Sequence, residues 1–172
     1  MAERGASLKQ FNRRIYNSLG DFWRDVRFPL QNRAQLRRAM KGDLVSFAFR
    51  ERLMLAVTAV NGCRYCSYYH AKEAVKAGLP DEELRRMLEG VVEGAPADEL
   101  PALLYAQHWA EANGQPDPAA RQKLAQTYGA ERAEAIETVL RMIRMGNLLG
   151  NSGDYWLYRL SGGVFGAPGR AS

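Results

Sequence analysis

Residues 51–70 read ERLMLAVTAVNGCRYCSYYH, and the rest of the chain is organised around this stretch. It holds both cysteines of the chain and one of its two histidines. Cys63 and Cys66 form a C-x-x-C, His70 follows Cys66 by four residues, and Glu51 precedes Cys63 by twelve. Between Glu51 and the cysteines runs an apolar segment, residues 53–60. Its eight residues are too few to cross a bilayer, which takes about twenty. A strand is the competing assignment for a short apolar run, but the Leu, Met and Ala content and the eighteen-residue length of 44–61 favour a helix. Being apolar on nearly every side after Arg52, it belongs at the middle of a bundle. Asn61 and Gly62, both tolerant of left-handed backbone, end it. The next helix is expected to open at or just before Cys63 and to run to about Ala77, with Gly78 as its cap.

Outward from this pair the pattern stays helical. On the N-terminal side, Ser7 is placed to cap a first helix carrying Leu8, Phe11, Ile15 and Leu19, with Gly20 as its stop. Phe22, Trp23, Val26 and Phe28 form an aromatic patch before Pro29, read as packing against the core or another subunit. A short basic helix follows over about 31–41. On the C-terminal side, Asp81 is expected to cap a helix ending near Glu93 and Gly94, and residues 95–98 form a linker. Leu100, Leu103, Leu104, Ala106 and Trp109 mark a helix to about Asn113. Pro118 suits the first position of one to Tyr128. A long helix spans Ala130 to about Leu149, a break falls at 150–154, and a short aromatic helix covers 155–160. No strands alternate with these helices, which argues against the βαβ frame often associated with C-x-x-C. The expected architecture is a single all-α domain over 1–172, with a basic N-terminal segment at 1–43, a core at about 44–93 and a loose tail at 161–172.

At 172 residues, with 47 % apolar and 25 % charged side chains, the chain has the profile of one globular domain. The start has charges but no apolar h-region, so a secretory leader is not expected. A soluble cytoplasmic protein with no membrane contact follows. Two cysteines three apart are not the framework of a secreted, disulfide-stapled domain. The net charge of +5 is uneven: residues 1–41 carry net +7 and residues 42–172 net −2. A basic segment suits nucleic acid or an acidic partner, but no zinc-finger spacing or RNA-binding sheet motif accompanies it. A solvated face, or docking on an acidic neighbouring subunit, is preferred.

The chemistry follows from the spacing. A thiolate at Cys63 would face the positive end of a helix dipole and free backbone N–H groups, with Arg64 adjacent, and both features lower a thiol pKa. Residues four apart share a helix face, so His70 is expected to reach back to Cys66. From Glu51 to Asn61 is about 15 Å of helix and from Cys63 to His70 about 10 Å. An antiparallel pair of helices therefore brings Glu51 beside His70. A carboxylate there orients the imidazole, which can accept a thiol proton. A thiolate is what peroxides oxidise to sulfenic acid, and a neighbouring thiol closes the disulfide. Tyr65, Tyr68 and Tyr69 read as packing, and His108 as a core or surface histidine without a role.

Glu, eleven residues, C-x-x-C, three residues and His, with the text AVNGCRYCSYYHAKEAVKAG ahead of a Pro-Asp-Glu-Glu helix start, resembles the AhpD-like alkylhydroperoxidases of the carboxymuconolactone decarboxylase superfamily. The resemblance covers about 44–93. It implies an AhpD-like helical bundle, a homo-oligomer such as a trimer or hexamer, and reduction of small hydroperoxides. It implies recharging by a dithiol partner such as a lipoyl protein or a thioredoxin-like protein. By the same resemblance Cys66 is the attacking thiolate, Cys63 its resolving partner, and Glu51 and His70 the relay, with no cofactor and no metal. The best-known members carry a second histidine just before the second cysteine, where Tyr65 stands here; many relatives carry C-x-Tyr-C. The decarboxylase branch lacks the dithiol, so decarboxylation is not expected. Two rivals are a non-catalytic redox sensor or oligomeric interaction module switched by the same disulfide, and a zinc site made by Cys63, Cys66, His70 and Glu51.

Overall fold

The helix that begins after Ser46 is enclosed by its neighbours, and its surroundings define the architecture. The computed structural model describes residues 11–166. Among these the elements are α1 (Leu19–Gln31), α2 (Arg33–Lys41), α3 (Phe47–Asn61), α4 (Arg64–Lys76), α5 (Asp81–Leu88), α6 (Leu100–Glu111), α7 (Pro118–Tyr128) and α8 (Ala130–Leu160), with no strand. The chain folds as one all-α domain. α3 packs against α4, α5, α6 and α8, and α8 also touches α1, α2, α4, α6 and α7. Phe49, Leu53, Leu55, Ala56 and Val57 of α3 are almost entirely removed from water, as are Leu103 and Trp109 of α6 and Ile136, Val139 and Leu140 of α8.

α3 starts at Phe47, three residues later than the apolar pattern suggested. The Ser46 hydroxyl accepts the Phe49 N–H at 3.1 Å and sets the start. At the other end Gly62 adopts φ +72°, a left-handed cap that a side chain would strain. α4 then opens at once with Cys63 as its N-cap.

Four boundary expectations fail, each for a visible reason. Residues 11–17 are not helical (Ser7 and Leu8 lie outside the described residues), and Gly20 lies inside α1, whose cap is Ser18. The backbone of 11–17 is spent elsewhere: Arg14 N–H donates to the Asn61 carbonyl, Asn151 donates to the Arg14 carbonyl, and Tyr16 N–H donates to Ser152. Asp81 is the first helical residue of α5, after Pro80, and makes no side-chain cap. α5 ends at Leu88 because Gly90, at φ +84°, lets the Gly90 and Val91 N–H groups turn back onto Met87 and Arg86. Finally, α8 does not break at 150–154 but runs unbroken for 31 residues. Its polar residues there, Asn151 and Asp154, are buried and hydrogen-bonded across the interface.

α1 continues through Pro29, and none of its residues is buried. Trp23 is exposed, Phe22 sets its edge against Tyr16 and Trp23, and the Arg141 guanidinium covers Phe28. The aromatic patch thus lies on the surface of the bundle and outside its core.

Arg52 ties three segments together. From inside α3 its guanidinium grips both oxygens of Glu83 on α5 and donates to Glu99, before α6, at 3.1 Å. Breaking such a buried group strands two carboxylates, at a typical cost of about 3–5 kcal/mol. Arg52→Ala is therefore expected to lower the unfolding free energy by about 3 kcal/mol, read from the urea midpoint. An unchanged midpoint would show that solvent already screens the cluster.

Candidate functional site

The Gly62 turn delivers Cys63 to the first turn of α4 with its sulfur facing inward. Cys63 is 0 % exposed, whereas Cys66 is only half-buried. Cys63 Sγ accepts the Cys66 N–H at 3.4 Å, so a thiol occupies the place usually held by a Ser, Thr or Asp oxygen. The two sulfurs lie 2.8 Å apart. Both cysteines are free thiols, and the bond between them places a single proton between two sulfurs.

The charge in this pair belongs on Cys63. The Cys66 thiol donating to it, the N–H groups of Cys66 and Tyr65, and the nearby Arg13 together outweigh burial and lower the Cys63 thiol to about 6. The same S–H···S bond, with burial, pushes the Cys66 thiol up. The lowering expected for Cys63 is thus present, but the Cys66 thiol leads its causes and the nearby cation is Arg13, not the expected Arg64; the first proton lost leaves the anion on the buried sulfur.

Glu51 and His70 meet as the antiparallel arrangement requires. His70 Nδ1 lies 2.7 Å from Glu51 Oε2, and Glu51 is 3 % exposed. Arg50 stands 3.8 Å from the other carboxylate oxygen, and Tyr69 sets its ring edgewise on the imidazole. The reach of His70 to Cys66 differs from expectation. Among the described residues no hydrogen bond joins His70 to either sulfur, and the ring is held through Nδ1 by Glu51. The dithiol at the start of α4 and the carboxylate–imidazole pair between α3 and α4 are two units, not one continuous chain of hydrogen bonds.

Sequence reasoning missed the second wall of the site. α8 turns Asn147, Gly150, Asn151 and Asp154 toward the C-x-x-C, at i, i+3, i+4 and i+7 on one helix face. Asn147 is fully buried, donates to Thr58 Oγ1 and accepts from Asn61 Nδ2, both at 3.1 Å. Gly150 has no room for a side chain: a Cβ there would lie 3.1 Å from Cys63 Sγ and 3.5 Å from the Tyr65 ring. Asn151 donates to the Asn61 carbonyl at 2.8 Å. Asp154 accepts from Tyr65 Oη and Arg64 Nη2, each at 2.8 Å, and from Arg13. Burial pushes the Asp154 carboxyl up, but Tyr65, Arg13 and Arg64 outweigh it and hold the group below the usual carboxylate range. The signal available in the sequence was the helical spacing of these polar residues, which the glycines disguised as a break.

Tyr65 therefore has a specific partner, while Tyr68 and Tyr69 are exposed and do not pack into the core. A cavity of about 330 Å³ opens against the turn, lined by Arg13, Thr58, Gly62, Arg64, Ser67 and Leu88. A larger one of about 450 Å³ lies between α6 and α7 and contains none of the four candidate residues. His108 lines that larger cavity and pairs with Asp117 at 3.0 Å, away from the thiols. Among the described residues no group of three or more His, Cys, Asp or Glu is placed to hold a metal ion, and no helix is long and apolar enough to cross a membrane.

The electrostatics carry a pH signature. Thiolate absorbance of the reduced protein is expected to rise with a midpoint at about 6, against about 8.5 for an ordinary thiol. Because the folded value lies below the unfolded one, the reduced fold gains stability as pH rises between the two, and loses that gain as pH falls through the lower value. Cys63→Ser is expected to remove the low-pH step. A step that survives in that variant would assign the anion elsewhere.

The model of the carboxymuconolactone decarboxylase family matches residues 31–112. That segment runs from the start of α2 to the end of α6 and contains Glu51, Cys63, Cys66 and His70. No curated protein and no solved structure matches the chain.

Proposed function

We propose that the chain, which the carboxymuconolactone decarboxylase family model matches over residues 31–112, is a thiol-dependent peroxidase of the AhpD-like kind. The observation that carries this reading is the pair of free thiols 2.8 Å apart, set beside a buried carboxylate–imidazole pair. The unequal exposure of the sulfurs supports the division of roles: a hydroperoxide approaching from solvent meets Cys66 before it meets Cys63.

The cycle balances with these groups. Cys66 passes its proton to Cys63 across the S···S contact and becomes the attacking thiolate. Its sulfur takes the terminal peroxide oxygen, the O–O bond breaks, and Cys66 sulfenic acid forms. The departing alkoxide takes a proton from His70, which Glu51 holds in position, and leaves as the alcohol. The Cys63 thiol attacks the Cys66 sulfenic sulfur; the S–O bond breaks as the S–S bond forms, and the departing hydroxide takes the Cys63 proton and leaves as water. An external dithiol, such as a lipoyl or thioredoxin-like protein, then gives two electrons and two protons to restore both thiols and becomes a disulfide itself. The chemistry calls for no metal or organic cofactor.

Hydroperoxide consumption with dihydrolipoamide as donor tests this. Wild type should turn over, Cys66→Ser should lose turnover entirely, and Glu51→Gln should slow it about 10²-fold or more, the usual scale for losing acid–base help. Full turnover by Cys66→Ser would exclude the mechanism.

The resemblance also supports a homo-oligomer, such as a trimer or hexamer, and the surface agrees. Tyr68 and Tyr69 on α4 and Trp156, Leu157 and Leu160 on the adjoining α8 expose large apolar area on packed helices. Sedimentation of the reduced protein is expected to give a species several times the 19.3 kDa chain mass. The alternative reading, a non-catalytic redox sensor or interaction module, requires that assembly change on oxidation. Identical sedimentation of the two redox states removes that alternative, and a single 19.3 kDa species in both removes the oligomer.

A further inference from the structure

Asp154 lies far from the cysteines in sequence and makes no contact with either sulfur, yet it holds both residues that separate them. Its side chain is 0 % exposed. One oxygen, Oδ1, accepts from Arg64 Nη2 and from Tyr65 Oη, each at 2.8 Å. The other takes Arg13 from the extended segment that precedes α1. Arg13 has two further anchors: it donates to the Gly166 carbonyl at 3.0 Å, and its guanidinium sits over the Phe11 ring. Its methylenes pass the Gly62 turn so closely that a Cβ on Gly62 would meet Arg13 Cγ at 3.2 Å. Arg13 is thereby fixed against the residue that precedes Cys63.

In a C-x-x-C pair the charge balance around the thiolate and the conformation of the intervening dipeptide set how strongly the reduced form is held. Here both are tied to one carboxylate. We propose that Asp154 is the positioning residue of the dithiol: by clamping Arg64 and Tyr65 and by partly neutralising Arg13 beside Cys63, it sets the redox poise of the Cys63–Cys66 pair. The proposal rests on reading those cysteines as a redox pair. The charged groups around Cys63 are Arg13 from the N-terminal segment, Arg64 on α4 and Asp154 on α8, with Glu51 of α3 paired to His70 further along α4.

Because Arg13 keeps its anchors on Gly166 and Phe11, removing the Asp154 charge leaves the cations in place and unbalanced. Asp154→Asn should therefore stabilise the Cys63 thiolate and the dithiol. Removing the cation in Arg13→Met should do the opposite. The double variant removes both charges and should return toward wild type. A merely structural role for either residue would loosen the site in the same direction in both single variants.

The test is the dithiol–disulfide equilibrium of the full-length protein in glutathione buffers, together with the thiolate absorbance midpoint of the reduced protein. Asp154→Asn is expected to shift the equilibrium about threefold or more toward dithiol, an effect on the scale of one partly screened charge, and to lower the thiolate midpoint. Arg13→Met is expected to shift both the other way. Shifts of the same sign in the two single variants, or no shift in either, would overturn the proposal. If Asp154→Asn does not fold, Tyr65→Phe substitutes for it. That variant removes one of the three clamped donors and should shift the equilibrium without removing a charge, and an unchanged equilibrium would overturn the clamp. The thiolate midpoint needs neither peroxide nor a disulfide. Loss of peroxidase activity in the wild type would therefore count against the proposed reaction while leaving the role of Asp154 decided by the midpoint.

Discussion

Enclosing α3 on every face means that each polar group it carries must find its partner on a neighbouring helix, because a buried polar group left alone costs more than most single contacts return. Glu51, Arg52, Thr58 and Asn61 are the four such side chains. Glu51 takes His70 and so fixes α4. Arg52 takes Glu83 and Glu99 and so fixes α5 and the entry to α6. Thr58 and Asn61 take Asn147, and the Asn61 carbonyl takes Asn151, which fixes α8. Apolar burial drives the bundle together, but this short list of obligatory pairings sets the rotation of each helix about its own axis. The site is a by-product of the same constraint: satisfying Glu51 and Asn61 places a histidine and a polar wall at the two ends of the C-x-x-C turn.

Within that frame the dithiol divides its labour by depth. The Cys66 thiol, then the N–H groups of the helix start and Arg13, favour charge on Cys63, which solvent does not reach. The half-buried Cys66 keeps its proton and points it at Cys63. A buried anion cannot be lost to stray oxidants, and an exposed protonated thiol reacts slowly. On the proposed reading the resting enzyme is thus protected until the proton passes between sulfurs that lie 2.8 Å apart. Once Cys66 is oxidised, the resolving sulfur is already in contact with it, so little backbone motion is needed to close the ring.

The sequence made the central helix, its Gly62 stop, the helix starting at Cys63 and the Glu51–His70 meeting legible, because each depends on local spacing and on one turn. The resemblance at 44–93 lies inside the family match at 31–112. Illegible were features decided by tertiary contact. The start of α3 went to a serine cap rather than to the first apolar residue. The segment 11–17 has helical spacing in Phe11, Ile15 and Leu19, yet its backbone groups bond to Asn61, Asn151 and Ser152. The spacing predicts that His70 meets both Glu51 and Cys66; its Nδ1 bonds Glu51 from α3, and among the described residues no hydrogen bond to Cys66 forms.

The largest failure, the supposed break at 150–154, explains itself once the packing is considered. Glycines at 146, 150 and 153, with Asn151 and Asp154 beside them, have poor helix propensity, at about 0.5–1 kcal/mol each relative to alanine. A solvent-exposed helix would fray there. In α8 three of these residues have a tertiary reason: Gly150 admits Cys63 and Tyr65, Asn151 bonds the end of α3, and Asp154 collects Arg13, Arg64 and Tyr65. The loss in local propensity is small beside the buried hydrogen bonds that Asn147, Asn151 and Asp154 make to neighbouring segments. The helix therefore continues where its own sequence would stop it, and it does so only because the dithiol turn is packed against it. The coupling runs in both directions. A substitution that frees Asp154 or fills the space at Gly150 acts on the geometry of the cysteines and on the continuity of α8 together.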